Sequence, residues 1–236
     1  MPKVWFLVLL AVSAIAHAAP SDNDAAMCRN GLFTSSPSAF SLAKVVVPRL
    51  YLLNDDDGCP GKGEAACRQR SYVVKGDVVV LAQHRDGYAC AFYPNKVGGS
   101  AGWVAERNLL AITSTATPPA RAWNGHWHDG DNTLQLTASG DGSVAVNGDA
   151  YWPSANPSPE QTPGGPHIGA VTARSTPNGN RLEVSEDDCT VRLQLLGELL
   201  IVADNLQCGG ANVSFSGAYR QDHARRPRAA CIPVFW

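Results

Sequence analysis

The chain has 236 residues, of which 44% are hydrophobic and 17% are charged, so it holds enough apolar material for a folded core and is not disordered throughout. Its formal net charge of −2 excludes a strongly basic nucleic-acid-binding protein and a protein with an acidic tail. The 22 glycines and 16 prolines favour short strands joined by turns over long helices.

Residues 1–18 have the pattern of a secretory signal peptide. Lys3 provides the positive charge, Val4–Ala16 is an apolar run shorter than the about 20 residues of a membrane span, and Ala16-His17-Ala18 matches a cleavage site. We therefore expect cleavage after Ala18, export to the periplasm or the medium, and no membrane insertion of the mature chain. An uncleaved membrane anchor is the alternative.

All seven cysteines follow the expected cleavage site. In an oxidising compartment cysteines form disulfides by default, and an odd number leaves at least one thiol unpaired or bonded to another molecule. Spacing alone does not give the connectivity, but Cys59 with Cys67 would close a small loop and Cys189 with Cys208 would brace one hairpin. The sequence has no Cys-x-x-Cys pair, so a structural zinc site is not expected.

From about residue 41 onwards the sequence predicts β-strands, because short runs of β-branched or aromatic residues are bounded by turn residues. The clearest runs are Val45–Val47, Tyr72–Val74, Val78–Leu81 and Ala89–Tyr93. The predicted hairpin turns, made of residues that tolerate a positive φ, are Asp57-Gly58, Asp86-Gly87, Asp141-Gly142, Asn147-Gly148 and Asn178-Gly179. The predicted fold class is all-β.

A change in composition divides the mature chain into two predicted domains. Residues 113–122 are rich in proline and small polar residues, which is typical of an interdomain linker. The proline-rich stretch 153–166 is predicted to be a long loop inside the second domain. The predicted organisation is an N-terminal extension over 19–40, a first domain over 41–112, the linker over 113–122, a second domain over 123–221 and a tail over 222–236.

The first domain resembles bacterial SH3-like domains over residues 49–112. The residues that carry the resemblance are Tyr51, the run Tyr72-Val73-Val74-Lys75-Gly76-Asp77-Val78, and Gly102-Trp103-Val104 before Leu109. The resemblance implies a small barrel in which the Lys-Gly-Asp turn joins two strands and Gly-Trp-Val forms a late strand, with its tryptophan near a groove. The insertion between Cys59 and Cys67 falls in a loop region where such domains often make contacts.

The second domain, residues 123–220, resembles a region of exported proteobacterial proteins of unknown role. The residues that carry this are Trp123-Asn124-Gly125-His126-Trp127, Gly148-Asp149-Ala150-Tyr151-Trp152 and the run from Cys189 to Arg220. The Gly-x-Trp of the first strand and Arg220 also resemble lipocalin-like barrels. About 100 residues are few for a hollow eight-stranded barrel, so we expect a filled antiparallel barrel or a sandwich.

Four aromatic residues of the first domain are candidates for ligand binding. Tyr51, Tyr72, Tyr88 and Trp103 could line a groove that stacks on sugar rings or peptide side chains, because their rings combine apolar faces with a polar edge. The alternative is that two or more of these rings belong to the core. For Trp103 both interpretations stay open.

Catalytic patterns are weak in this sequence. Alternation along a strand would place His126 and His128 on one face, where His167 could complete a three-histidine zinc site; the alternative is that both face solvent. The segment 98–102 matches Gly-x-Ser-x-Gly, but a strand is predicted after Ser100 where a nucleophile elbow requires a helix. We expect no enzyme activity and no cofactor.

The leading hypothesis is therefore a non-catalytic binding protein of the cell envelope that recognises peptidoglycan or an exported protein, and no nucleic acid. The first alternative is an inhibitor or immunity protein of a wall hydrolase such as lysozyme, with the loop between Cys59 and Cys67 as the rigid contact. The second alternative is a metal-dependent hydrolase built on the three histidines.

Overall fold

A computed structural model describes residues 27–35, 39–95, 98–113 and 117–222. Within these residues the protein is all-β, as predicted, with two antiparallel sheets. The predicted signal peptide, Cys231 and the tail beyond residue 222 lie outside the described residues. No helix in the described part of the chain has the length and apolarity that a membrane crossing requires.

The first sheet has seven strands in the order β3-β2-β6-β5-β4-β1-β7. A short helix, α1 (Glu64–Cys67), precedes β3. One apolar cluster, which includes Val45, Leu52 and Val104, joins residues of β1 to β6, so the sheet curves around its own core. The strands are β1 (Ser41–Val45), β2 (Arg49–Leu53), β3 (Arg68–Val74), β4 (Val78–Arg85), β5 (Tyr88–Tyr93), β6 (Ser100–Ala105) and β7 (Leu109–Ile112).

The turn between β3 and β4 is the predicted Lys-Gly-Asp turn. Gly76 adopts a φ of 96°, which a glycine tolerates without steric cost. The N–H of Gly76 donates to the carbonyl of Val45, and the N–H of Val45 donates to the carbonyl of Asp77, both at 2.9 Å. The side chain of Asp77 also accepts the N–H of Val74 at 2.8 Å. The turn is thereby attached to β1 and closes the end of β3.

The second sheet has eight strands in the order β11-β10-β9-β8-β15-β14-β13-β12 and forms a nearly closed barrel. Where its two terminal strands meet, the N–H of Thr172 on β11 donates to the carboxylate of Glu186 on β12 at 2.6 Å. Fully buried Leu134, Phe215 and Tyr219 fill the interior, as expected for a filled barrel. The strands are β8 (Gly125–Asp129), β9 (Asn132–Ala138), β10 (Val144–Trp152), β11 (His167–Ser175), β12 (Arg181–Glu186), β13 (Cys189–Leu196), β14 (Leu199–Asp204) and β15 (Gly217–Gln221).

Two predicted hairpin turns are wrong. Asp57-Gly58 lies in the loop between β2 and α1 and does not join two strands. Asn147-Gly148 lies in the middle of β10, where both residues pair with β9 and with β11. A Cβ on Gly148 would overlap the side chain of Leu134 and crowd the ring of Phe215. Glycine is needed here because the side chains of the barrel core pack closely against its backbone, and not because the chain turns. Close packing against the backbone is a common reason for a glycine within a strand.

Three disulfides among the described residues brace the fold, which indicates folding in an oxidising compartment. Both candidate pairs are present: Cys59 bonds to Cys67, and Cys189 bonds to Cys208. The third bond, Cys28–Cys90, was not predicted and joins residues that are 62 positions apart. It holds the segment before β1 against β5.

The two sheets pack against each other through Phe40, which directly precedes β1. Its N–H donates to the side-chain oxygen of Gln194 on β13, and the amide nitrogen of Gln194 donates back to the carbonyl of Phe40, both at 2.9 Å. Ile201 and Ala218 of the barrel join the same apolar cluster as Phe40. Reciprocal bonding gives both polar atoms of the buried Gln194 amide a hydrogen-bond partner, so this polar contact stabilises the junction.

Candidate functional site

The structure places Trp103 in the core and not in a groove. Its side chain is 1% exposed, and on β6 it lies opposite Cys90 of β5 and Leu53 of β2. The guanidinium of Arg85 lies 4.7 Å from the ring centroid and covers it. Tyr88 is partly buried against the same apolar cluster. The four candidate aromatics therefore do not line one groove, because two of them serve the packing of β5 and β6.

Tyr51 and Tyr72 do come together on the surface. They are directly opposite each other on β2 and β3, with ring centroids 5.7 Å apart. The side chain of Tyr72 is 47% exposed. Opposed residues on neighbouring strands bring their side chains into contact, so the register of this hairpin creates the pair.

Two arginines lie over these rings. The guanidinium of Arg68 is 4.2 Å from the centroid of Tyr51, and that of Arg49 is 4.4 Å from the centroid of Tyr72. Both distances are within the range of a cation–π contact. We call Arg49, Tyr51, Arg68 and Tyr72 the arginine–tyrosine surface. Arg70, between Arg68 and Tyr72 in the sequence, is exposed beside it.

The charge of this surface is not neutralised by the protein. Among the described residues, Arg49, Arg68 and Arg70 form no ion pair with a carboxylate. Arg49 donates to the phenolic oxygen of Tyr51 at 3.4 Å, which lowers the pKa of Tyr51 and raises that of Arg49. The three guanidinium groups therefore present positive charge that no carboxylate of the described residues offsets.

This arrangement is suited to holding an anion. A guanidinium that lies over a ring can still donate from its remaining N–H groups, whose geometry matches the two oxygens of a carboxylate or phosphate. The exposed ring of Tyr72 adds a flat apolar face next to the charge.

Exposed aliphatic side chains continue from this surface. Val74 lies opposite Arg49 in the β2–β3 register. Beyond the turn, Val78 of β4 and Leu110 of β7 lie on either side of Lys44 of β1. Val74, Val78 and Leu110 are each more than a third exposed. Tyrosine and arginine are enriched among the residues that dominate the binding energy of protein interfaces, and the aliphatic side chains extend the exposed surface beside them.

The three candidate histidines are not brought together. His126 and His128 are on β8, which β9 and β10 separate from His167 at the start of β11. Nδ1 of His128 lies 2.9 Å from a carboxylate oxygen of Asp222, whereas Nδ1 of His167 lies 2.6 Å from the carbonyl of Ala211. In the described ranges, no group of three or more His, Cys, Asp or Glu side chains is placed to hold a metal ion.

Two partly buried aspartates have structural roles. Burial raises the pKa of Asp129, whose Oδ2 accepts the N–H of Ala218 at 3.1 Å and so holds the start of β15. Burial opposes ionisation of Asp55 as well, but the guanidinium of Arg29 and the N–H of Cys28 outweigh it and keep the pKa of Asp55 below its usual value. Asp55 thereby attaches the segment around the Cys28–Cys90 disulfide to the first sheet.

The disulfide loop between Cys59 and Cys67 projects from the first sheet and is attached at both ends. The carbonyl of Cys59 accepts a hydrogen bond from Arg85 at 3.2 Å, and Glu64 in α1 pairs with Arg107. Gly61 and Lys62 at the tip are exposed. The loop is therefore a rigid, solvent-facing feature near β3.

Sequence reasoning found the two tyrosines and missed the arginines. Arg49 stands two positions before Tyr51, and Arg68 stands four before Tyr72. These even spacings place each arginine on the same face of the sheet as the tyrosine of its own strand. Comparison of the chain with protein-family models, with curated proteins and with solved structures found no match. Its function is therefore inferred from the chemistry of its own residues.

Proposed function

We propose that this protein is a non-catalytic binding protein of the cell envelope, exported through its signal peptide, that recognises an anionic ligand through the arginine–tyrosine surface. The observation that carries the proposal is a set of exposed guanidinium groups, stacked on tyrosine rings, with no carboxylate partner among the described residues. The predicted export to the periplasm and the resemblance to SH3-like domains support the same reading.

Ligands of matching chemistry are abundant in the envelope. Peptidoglycan has carboxylates on its stem peptides, and exported proteins carry acidic segments. Either would pair carboxylates with Arg49 and Arg68 and place an apolar group on Tyr72. Because the guanidinium groups are already oriented by the rings, little side-chain entropy is lost on binding.

The experiment compares retention on purified sacculi, and capture of periplasmic proteins by crosslinking, for two charge-matched double variants. Arg49→Gln with Arg68→Gln removes the surface charge, and Arg121→Gln with Arg181→Gln removes two exposed arginines elsewhere. Loss of two charge-assisted hydrogen bonds should weaken binding at least about tenfold in the first variant only. Equal binding by both variants, or no ligand for the parent protein, would contradict the proposal.

The disulfide loop supports a second candidate, an inhibitor of a wall hydrolase. A loop closed by Cys59–Cys67 and attached through Arg85 and Glu64 is preorganised to enter a cleft. Inhibition by the parent protein of one hydrolase in a panel, and loss of that inhibition in Cys59→Ser with Cys67→Ser, would support it. Inhibition of none of the enzymes at micromolar protein would remove it.

A further inference from the structure

We infer that the edge of β3 accepts an extended, acidic polypeptide segment of a partner protein, which adds to the first sheet as a further strand. This inference rests on the proposed function, because the same arginines bind the acidic side chains. It goes further in naming the ligand class and in assigning part of the binding to the backbone of β3.

β3 is the terminal strand of the seven-stranded sheet. Within the described ranges it pairs with β2 on one side and with no strand on the other. An unpaired strand edge presents a row of N–H and C=O groups that can pair with an incoming chain. β3 spans the seven residues Arg68–Val74, a length that suits strand addition. It contains no proline, so each of its residues has an N–H group.

The free part of this edge has a defined end. The N–H of Val74 already donates to the side chain of Asp77 at 2.8 Å. Asp77 also places a negative charge at this point, which repels an acidic chain. The stretch available for pairing is therefore Arg68 to Tyr72.

The positive charge at the edge of β3 favours an acidic segment as its binding partner. Arg68 and Arg70 are exposed on β3, and Arg49 lies over Tyr72 from the neighbouring strand. Two copies of this edge would repel each other, which disfavours pairing of β3 with itself. A strand with glutamate or aspartate at every second position would instead place successive carboxylates on one face, where they meet the three guanidinium groups.

The probe is a fluorescein-labelled nine-residue peptide of alternating Glu and Thr, titrated against the mature, disulfide-bonded protein by fluorescence anisotropy. Two further versions carry backbone N-methyl groups on all Glu or on all Thr residues. Only one of these two sets of N–H groups can face β3, because N–H groups point alternately to the two sides of a strand. Strand addition therefore predicts that one methylated peptide loses at least tenfold in affinity while the other binds like the parent.

The controls separate this inference from the proposed function. If both methylated peptides bind within twofold of the parent peptide, charge alone holds the ligand and strand addition is refuted, while the proposed function stands. If Arg49→Gln with Arg68→Gln leaves peptide affinity unchanged, or if the parent peptide does not bind, strand addition at β3 and binding of an acidic ligand by the arginine–tyrosine surface are both refuted. Slower amide hydrogen exchange over residues 68–72 in the complex is the expected second readout.

Discussion

Removing the Cys28–Cys90 disulfide should destabilise the protein more than removing the Cys59–Cys67 disulfide. The perturbations are the double variants Cys28→Ala with Cys90→Ala, and Cys59→Ala with Cys67→Ala. All four cysteines are buried, so each double variant deletes the same atoms from comparable surroundings. The two variants differ chiefly in the length of chain that the lost bond had closed.

The expected difference follows from these lengths. In the chain-entropy model, a bond across a separation of 62 residues stabilises the folded state by roughly 4 kcal/mol. The same model gives roughly 2.5 kcal/mol for a separation of 8 residues. The expected gap in the free energy of unfolding is therefore roughly 2 kcal/mol. Loosening of the segment that stacks Phe33 on Phe92, with ring centroids 4.3 Å apart, would add to the cost of losing Cys28–Cys90.

The assay is equilibrium unfolding in urea without reductant, followed by tryptophan fluorescence, with peptide mapping to establish that the remaining disulfides are native. The free energy of unfolding is compared for the parent and both double variants. A loss in the Cys59/Cys67 variant that equals or exceeds the loss in the Cys28/Cys90 variant would refute the reasoning, because loop closure would then not be the main source of the stabilisation.

Three further predictions concern single side chains. Trp103→Ala should lower the free energy of unfolding in urea by about 3–5 kcal/mol and leave the ligand affinity of the folded protein unchanged. Trp103→Phe should cost less, because the buried Nε1 that it removes has no acceptor among the described residues. Asp55→Asn should lose about 1–3 kcal/mol at pH 7, and this loss should shrink in unfolding curves below about pH 4, because a carboxyl with a lowered folded-state pKa stabilises the fold only while it is ionised. Gly217→Ala should cost about 1–3 kcal/mol in thermal unfolding, because its Cβ would overlap the carboxylate of Asp129; a melting temperature equal to that of the parent would contradict this.

The candidate site illustrates what a linear pattern can and cannot indicate. The sequence predicts that Tyr51, Tyr72, Tyr88 and Trp103 line one groove, whereas the structure brings only Tyr51 and Tyr72 into contact. It does not indicate that Trp103 is covered, because burial at β6 depends on Cys90 and Leu53, which arrive from strands β5 and β2. The same limit applies to the histidines, whose separation is set by the order of the barrel strands.

The sequence by itself determined the all-β class and indicated Cys59–Cys67 and Cys189–Cys208 as candidate disulfides, because turn chemistry, period-two alternation and closure of small loops act over a few neighbouring residues. Only the tertiary structure decided the Cys28–Cys90 bond, the burial of Trp103 and the stacking of Arg49 and Arg68 on the two tyrosines. These features depend on which distant strands become neighbours and in which register. That choice is made by the summed packing of the whole core, which no local pattern contains.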